Sequence, residues 1–394
     1  MALGSSQRSL VKTRHGGTDS AGPGRSMLVT FGSILEPCGG TQVRSRVLAG
    51  HLADLGIPAA VVSTRENGPV ASTPPWARSL YVPRGGVAFA FGLIRSVRRA
   101  ASESDWVILA NAAFVPALVL AGVRSPMVWD TNECQSLHYA RLPHTPINRA
   151  KQLAWIALER WAGHRCTLAV AIGESEAVHW KRIHPALTGK LFTVDHAPFA
   201  NPRTMVVSRA AVERRLGRRL VGPVLVFVGT LAAKQNGPAA QWIIDVLAPA
   251  LPTSATVLLC GPGTERLRGR GTGAPVECLG RVEDVDSVIA SADLCLAPLS
   301  SGAGVKTKVL HYLAHGRRVA GTPLAFEGLR GAPGLFEAPL ESLSALVTTL
   351  TEKGETEEAA QQRAAAQTAW MEHHHGPTHI ASQWRELLRC LSPA

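Results

Sequence analysis

The sequence has no Cys-x-x-Cys pair, no Gly-x-Gly-x-x-Gly run and no stretch in which basic and aromatic residues interleave. Each absence removes a class of function. Seven cysteines stand scattered at 38, 134, 166, 260, 278, 295 and 390, an odd set that argues against a disulfide framework and for a reduced, cytoplasmic setting. Without the glycine fingerprint the chain is not a dinucleotide-binding protein of the usual kind. Aromatic residues make up only 5%, so nucleic acid is not an expected partner. Residues 1–26 are rich in Ser, Gly and Arg and lack the apolar centre of a secretory signal, so they read as a disordered leader before a fold that starts at Met27.

Long apolar runs are also scarce. Residues 106–123 come closest to a membrane span, but Asn111 and Pro116 interrupt them, with Asp105 and Arg124 on the flanks. They parse as a buried strand, 106–110, and a buried helix. What is present is length, 394 residues with 46% hydrophobic, which suits two cores rather than one. The formal charge of +12 favours an anionic partner such as a nucleoside diphosphate or an acidic membrane surface.

Short apolar strands alternate with helices along the chain, the pattern of doubly wound parallel sheets. Strands are expected at 27–33, 58–63, 79–82, 106–110, 127–131, 168–172 and 191–194, then at 223–228, 256–259, 276–279, 294–299 and 318–322. The opening unit is strand, Gly39-Gly40 turn and a helix that turns Val43, Val47, Leu48, Leu52 and Leu55 inward, leaving Arg44 and Arg46 elsewhere on its surface. A Pro- and Arg-rich stretch divides the chain into a first domain, 27–198, a linker, 199–221, and a second domain, 222–370. An amphipathic helix lies in the closing segment, 371–394.

Residues 291–329 organise the second domain. A strand runs into the loop Ser300-Ser301-Gly302-Ala303-Gly304, and a helix follows with Val305, Val309, Leu310 and Leu313 on one face and Gly316 past its end. Strand, glycine loop and helix aim backbone N–H groups at an anion, and Lys306, expected in the first helical turn, adds a full charge. Gly229-Thr230 through Lys234 and Asn236 repeats the arrangement after 223–228. His311 and His315 stand four apart without a visible third ligand, and His373–His375 with His379 lie between expected helices. No functional metal is expected at either place.

The segment Pro298-Leu299…Gly302-x-Gly304-Val305-Lys306-x-Lys308…Gly316…Glu327-Gly328-Leu329 resembles the donor-binding segment of family four (group one) glycosyltransferases. That resemblance implies a GT-B fold of two Rossmann-like domains facing a cleft, with a terminal helix crossing back onto the first domain. It implies a nucleoside diphosphate sugar as donor substrate, no cofactor, and transfer with retention to a hydroxyl of a small molecule, glycan or lipid-linked acceptor. The donor side would comprise Gly39, Gly40, Gly229, Thr230, Lys234, Arg281, Val282, Gly302, Ala303, Gly304, Val305, Lys306, His311 and Glu327. Lys234 and Lys306 would meet the diphosphate. Ala303 and His311 stand where the family usually carries two glutamates. On the acceptor side, residues 128–136 resemble the family's Asp-x-His-Asn-x-Glu-Ser segment and offer Asp130 and Glu133 as catalytic carboxylates. Two other readings stay open: a sugar-nucleotide epimerase, and a non-catalytic protein that binds a nucleotide sugar or a partner enzyme. Peripheral membrane contact through the basic first domain is compatible with each.

Overall fold

The computed structural model describes residues 24–30, 40–57, 59–63, 78–81, 86–196, 209–217 and 219–391. The chain forms two compact units: Met1–Ala197 together with Pro377–Ala394, and Pro198–Gly376.

The first unit carries a seven-stranded parallel sheet. Its strands are β1 (Ser26–Thr30), β2 (Ala59–Ser63), β3 (Arg78–Tyr81), β4 (Trp106–Leu109), β5 (Met127–Asp130), β6 (Leu168–Ala171) and β7 (Leu191–Thr193), in the order β3-β2-β1-β4-β5-β6-β7. The central strands are apolar on both faces, as a sheet covered by helices on both sides requires. Residues 106–123 become β4, a single 3-10 turn at Ala112–Phe114 and the short helix Val115–Leu120. Among the described residues no helix is long and apolar enough to cross a membrane.

The helix Pro377–Arg389 completes this unit's core rather than that of the residues just before it. Ile380, Trp384 and Leu387 pack with Leu28, Leu48, Leu52 and Val61. Its polar side is tied down by Gln383, which donates through Nε2 to Asp195 Oδ2 at 2.8 Å and accepts from the Asp195 backbone N–H at 2.9 Å.

The second unit carries a six-stranded parallel sheet: β8 (Val224–Val228), β9 (Thr256–Cys260), β10 (Val276–Gly280), β11 (Leu294–Ala297), β12 (Val319–Gly321) and β13 (Leu335–Glu337). The order is β10-β9-β8-β11-β12-β13, so the winding reverses between β8 and β11. Open α/β sheets bind ligands outside the carboxyl ends of the strands at such a switch point.

Several expectations move. The edge strand β13 was not anticipated. The helix that follows β8 begins at Asn236 and runs into a π segment at Ile243–Leu247. The helix after the glycine loop is Thr307–Ala314, because Lys306 has extended backbone (φ −85°, ψ 100°) and occupies the cap position. His373, His374 and His375 form the last turn of the helix Glu357–His375 rather than lying between helices.

Candidate functional site

At the switch point of the second sheet, the turn after β8 and the loop after β11 come together. Gly302 (φ 116°) and Gly304 (φ 69°) both adopt backbone that favours glycine, which lets the loop double back over the start of the helix. Lys306 folds inward and donates through Nζ to the Gly304 carbonyl at 2.5 Å. A Cβ on Gly302 would lie 3.9 Å from that same ammonium. Ala303 and Val305 are buried.

Lys308 reaches the same place from the first helical turn. Its Nζ donates to Asn236 Oδ1 at 2.7 Å and stands 4.0 Å over the centre of the Phe227 ring. Asn236 in turn donates through Nδ2 to the Thr230 carbonyl at 2.9 Å, so one amide holds both the β8 turn and the lysine. Gly229 is required here. A Cβ would meet Asn236 Nδ2 at 2.7 Å and Lys308 Nζ at 2.9 Å. Burial of the ammonium, with Lys306 beside it, pulls the Lys308 pKa down to about 7. Tyr312, one turn further on, accepts from the Val228 backbone N–H at 2.8 Å and fixes the helix to the end of β8.

The other expected donor-side residues differ in exposure. Lys234 is exposed on the loop between β8 and the helix Asn236–Trp242, and Thr230 is half-buried. Arg281 is exposed and Val282 half-buried just after β10. Glu327 caps the 3-10 turn Pro323–Phe326. His311 is buried on the helix, and its Nε2 lies 2.5 Å from Asp286 Oδ1. His315 reaches the same oxygen at 2.7 Å. The third potential ligand that the sequence left unseen is therefore Asp286, on the helix Val285–Ala290.

In the first domain Gly39 lies outside the described residues, and Gly40 opens the helix Gly40–Asp54. Asp130 ends β5 fully buried. Arg44 Nε donates to both of its oxygens at 2.9 Å, and Arg44 Nη1 continues to the carbonyls of Val194 and Asp195. Arg44, expected on the helix surface, is thus an interior residue, and the acceptor-side role expected of Asp130 finds no exposed oxygen. Burial raises the Asp130 pKa, with Arg44 opposing. Glu133 keeps about a third of its side chain exposed and accepts from Gln135 Nε2 at 3.0 Å. Between them Asn132 takes φ 52°, a conformation asparagine tolerates better than most, and donates to the Ala110 carbonyl at 2.9 Å.

Two deeper acids also lie in this domain. Glu159 accepts from the Ser136 backbone N–H and pairs with His184 at 3.3 Å. Glu176 accepts from the Ile172 backbone N–H at 3.0 Å, and burial pushes its pKa up to about 7.

Residues 222–352 match the family model described as glycosyl transferases group 1. Over those residues the second domain is similar to the group 1 glycosyl transferases. Solved structures extend the likeness to the whole fold. HepE of Anabaena, crystallised with UDP-glucose, is 16% identical with a TM-score of 0.69, covering 93% of this chain and 99% of its own. Sucrose-phosphate synthase of Thermosynechococcus elongatus is 12% identical with a TM-score of 0.73, covering 93% and 98%. WaaG, a glycosyltransferase involved in lipopolysaccharide biosynthesis, is 13% identical with a TM-score of 0.69, covering 92% and 99%. The fold is GT-B. No curated protein sequence matches the chain. The matched segment contains every residue of the Gly229–Asn236 and Gly302–Lys308 arrangement.

Proposed function

We propose that the protein transfers a sugar from a nucleoside diphosphate donor to an acceptor hydroxyl, with retention of anomeric configuration. The observation that carries this reading is the convergence of Lys306 and Lys308 with the Gly302–Gly304 loop at the switch point of the second domain. Departure of the sugar leaves negative charge on the diphosphate. Preorganised donors at that point stabilise the charge without reorganising during the reaction. Lys306, Lys308 and the loop amides supply them, and Lys234 adds a cation from the β8 loop. The counter-charge then comes from the protein's own side chains. The leaving phosphate oxygen takes the acceptor proton, so the burial of Asp130 does not remove a required base. Glu133 is the first-domain carboxylate left to orient an acceptor. A small molecule, glycan or lipid-linked hydroxyl would each serve, in natural-product or polysaccharide glycosylation on the cytoplasmic side.

One observation favours a second reading. His311 Nε2 is engaged by Asp286, so the helix presents no carboxylate toward a donor at that position, and a protein that binds nucleotide sugars without turning them over is consistent with this.

Thermal stabilisation by UDP, GDP, dTDP and their sugars tests both readings, with Lys306→Ala beside the wild type. Stabilisation by one nucleotide, lost in the variant, supports the donor site. Release of free nucleotide dependent on added acceptor then separates transfer from passive binding, and release without acceptor points to epimerase chemistry. No stabilisation by any nucleotide would sink the proposal.

A further inference from the structure

Three side chains from two crossover segments of the second domain meet at one point. His311 and His315 stand one helical turn apart on the helix Thr307–Ala314 and its cap, so both rings leave the same face. Asp286 enters from the helix Val285–Ala290. Both histidines present the same nitrogen, Nε2, to the same oxygen, Asp286 Oδ1, at 2.5 and 2.7 Å. Their ring centroids are 5.2 Å apart, and the three potential ligand atoms all lie within 4.8 Å of one another. The side chains are 5%, 7% and 17% exposed, so water competes weakly but an ion can enter past the aspartate.

A shared hydrogen bond accounts for these distances, and so does a metal site slightly contracted. Imidazole nitrogen and carboxylate oxygen are the hard-to-borderline donors that zinc accepts, at about 2.0–2.2 Å each. Tetrahedral placement at that radius sets neighbouring ligand atoms ~3.3 Å apart. Each N–O separation would widen by less than about 1 Å, within the reach of small side-chain rotations. Two histidines at i and i+4 on a helix is also the spacing by which helical zinc motifs present a ligand pair.

We propose that Asp286, His311 and His315 bind a divalent transition ion of the zinc class, clamping the helix Val285–Ala290 to the helix Thr307–Ala314. The two helices lead into and out of the β11 loop segment, so the clamp braces the frame that carries Lys308, three residues before His311. Three protein ligands leave a fourth position for water. Its test does not use activity.

The full chain, stripped with chelator, is titrated with Zn2+ and with Co2+. Expected are one bound equivalent of Zn2+, a rise in melting temperature with Zn2+ concentration, and visible absorption of a low-coordinate Co2+ complex. His315→Gln, which keeps a hydrogen-bond donor, should weaken Zn2+ by at least about tenfold and abolish the Co2+ band. Asp286→Asn should do the same, and serves if the first variant does not fold. The double variant His373→Gln/His374→Gln removes the exposed histidines of the C-terminal region and should keep both signals. Equal Zn2+ affinity in wild type, His315→Gln and Asp286→Asn would overturn the proposal. So would loss of binding only in the His373/His374 double variant.

Discussion

At the end of β5 in the first domain, Asp130 meets Arg44 and both disappear into the interior. Beyond β11 in the second, Lys308 meets an amide oxygen and an aromatic face. Both sheets share the same winding around a switch point. In one, each charge is matched by an opposite charge, and the pair holds helix to strand. In the other, positive charge is held close by an amide oxygen and an aromatic face, and burial, with Lys306 beside it, lowers its pKa. The matched buried pair ties helix to strand, whereas the unmatched lysine is the group whose counter-charge the proposed donor would supply.

Cutting the pair is the most severe way to challenge that contrast. Arg44→Met leaves Asp130 buried and alone and should cost about 3–5 kcal/mol of stability, read as a fall in denaturant midpoint. Lys308→Met should do the reverse for stability, neutral or raised, while abolishing nucleotide-induced stabilisation. If Lys308→Met unfolds the protein as Arg44→Met does, the two regions are not different in kind.

The acid with a raised pKa in the first domain sharpens the comparison through pH. Glu176 binds its proton more tightly folded than unfolded, so between about pH 4.5 and about pH 7 the folded state holds the extra proton and stability falls as pH rises. Glu176→Gln should flatten that slope, removing a change of order 3 kcal/mol, followed as melting temperature against pH. Lys308 gives ligand binding a pH dependence in the same direction, set higher in pH. Below about pH 7 its ammonium is charged, so nucleotide affinity should drop as pH rises through that value, by up to about tenfold per unit. Lys308→Arg should bind with little of this pH dependence. The smallest effect belongs to the loop itself: Gly302→Ala forces an L-residue into φ 116° and should cost about 1–3 kcal/mol, with nucleotide stabilisation reduced rather than lost.

Much of this was legible in the sequence, because periodicity and glycine placement report local structure. Most strands fall within two residues of expectation. The strand β13 was missed because Leu335–Glu337 is only three residues long and its pairing with β12 is not a local property. Arg44 looked like a surface residue since its partner lies 86 positions away. Asp286 was invisible as a companion of His311 for the same reason, at a separation of 25. Lys306 was placed in the helix because nothing in its neighbours marks a late start, whereas extended backbone after Gly304 delays the first turn. Lys308 was visible as one letter of a motif, but its distinction from Lys306 comes from Phe227 and Asn236, which no spacing rule connects to it.

The closing helix Pro377–Arg389 fills the core of the first domain with Ile380, Trp384 and Leu387. During synthesis that core therefore waits: its strands emerge from the ribosome first, yet the residues that seal it emerge only after the entire second domain. The second domain, continuous in sequence from Pro198 to Gly376, can close as soon as it is exposed. The earlier-made half is thus the later one to finish, and it spends the interval with apolar surface uncovered. A stop codon after Gly376 would be a lesion of the first domain, although the segment it removes comes last in the chain.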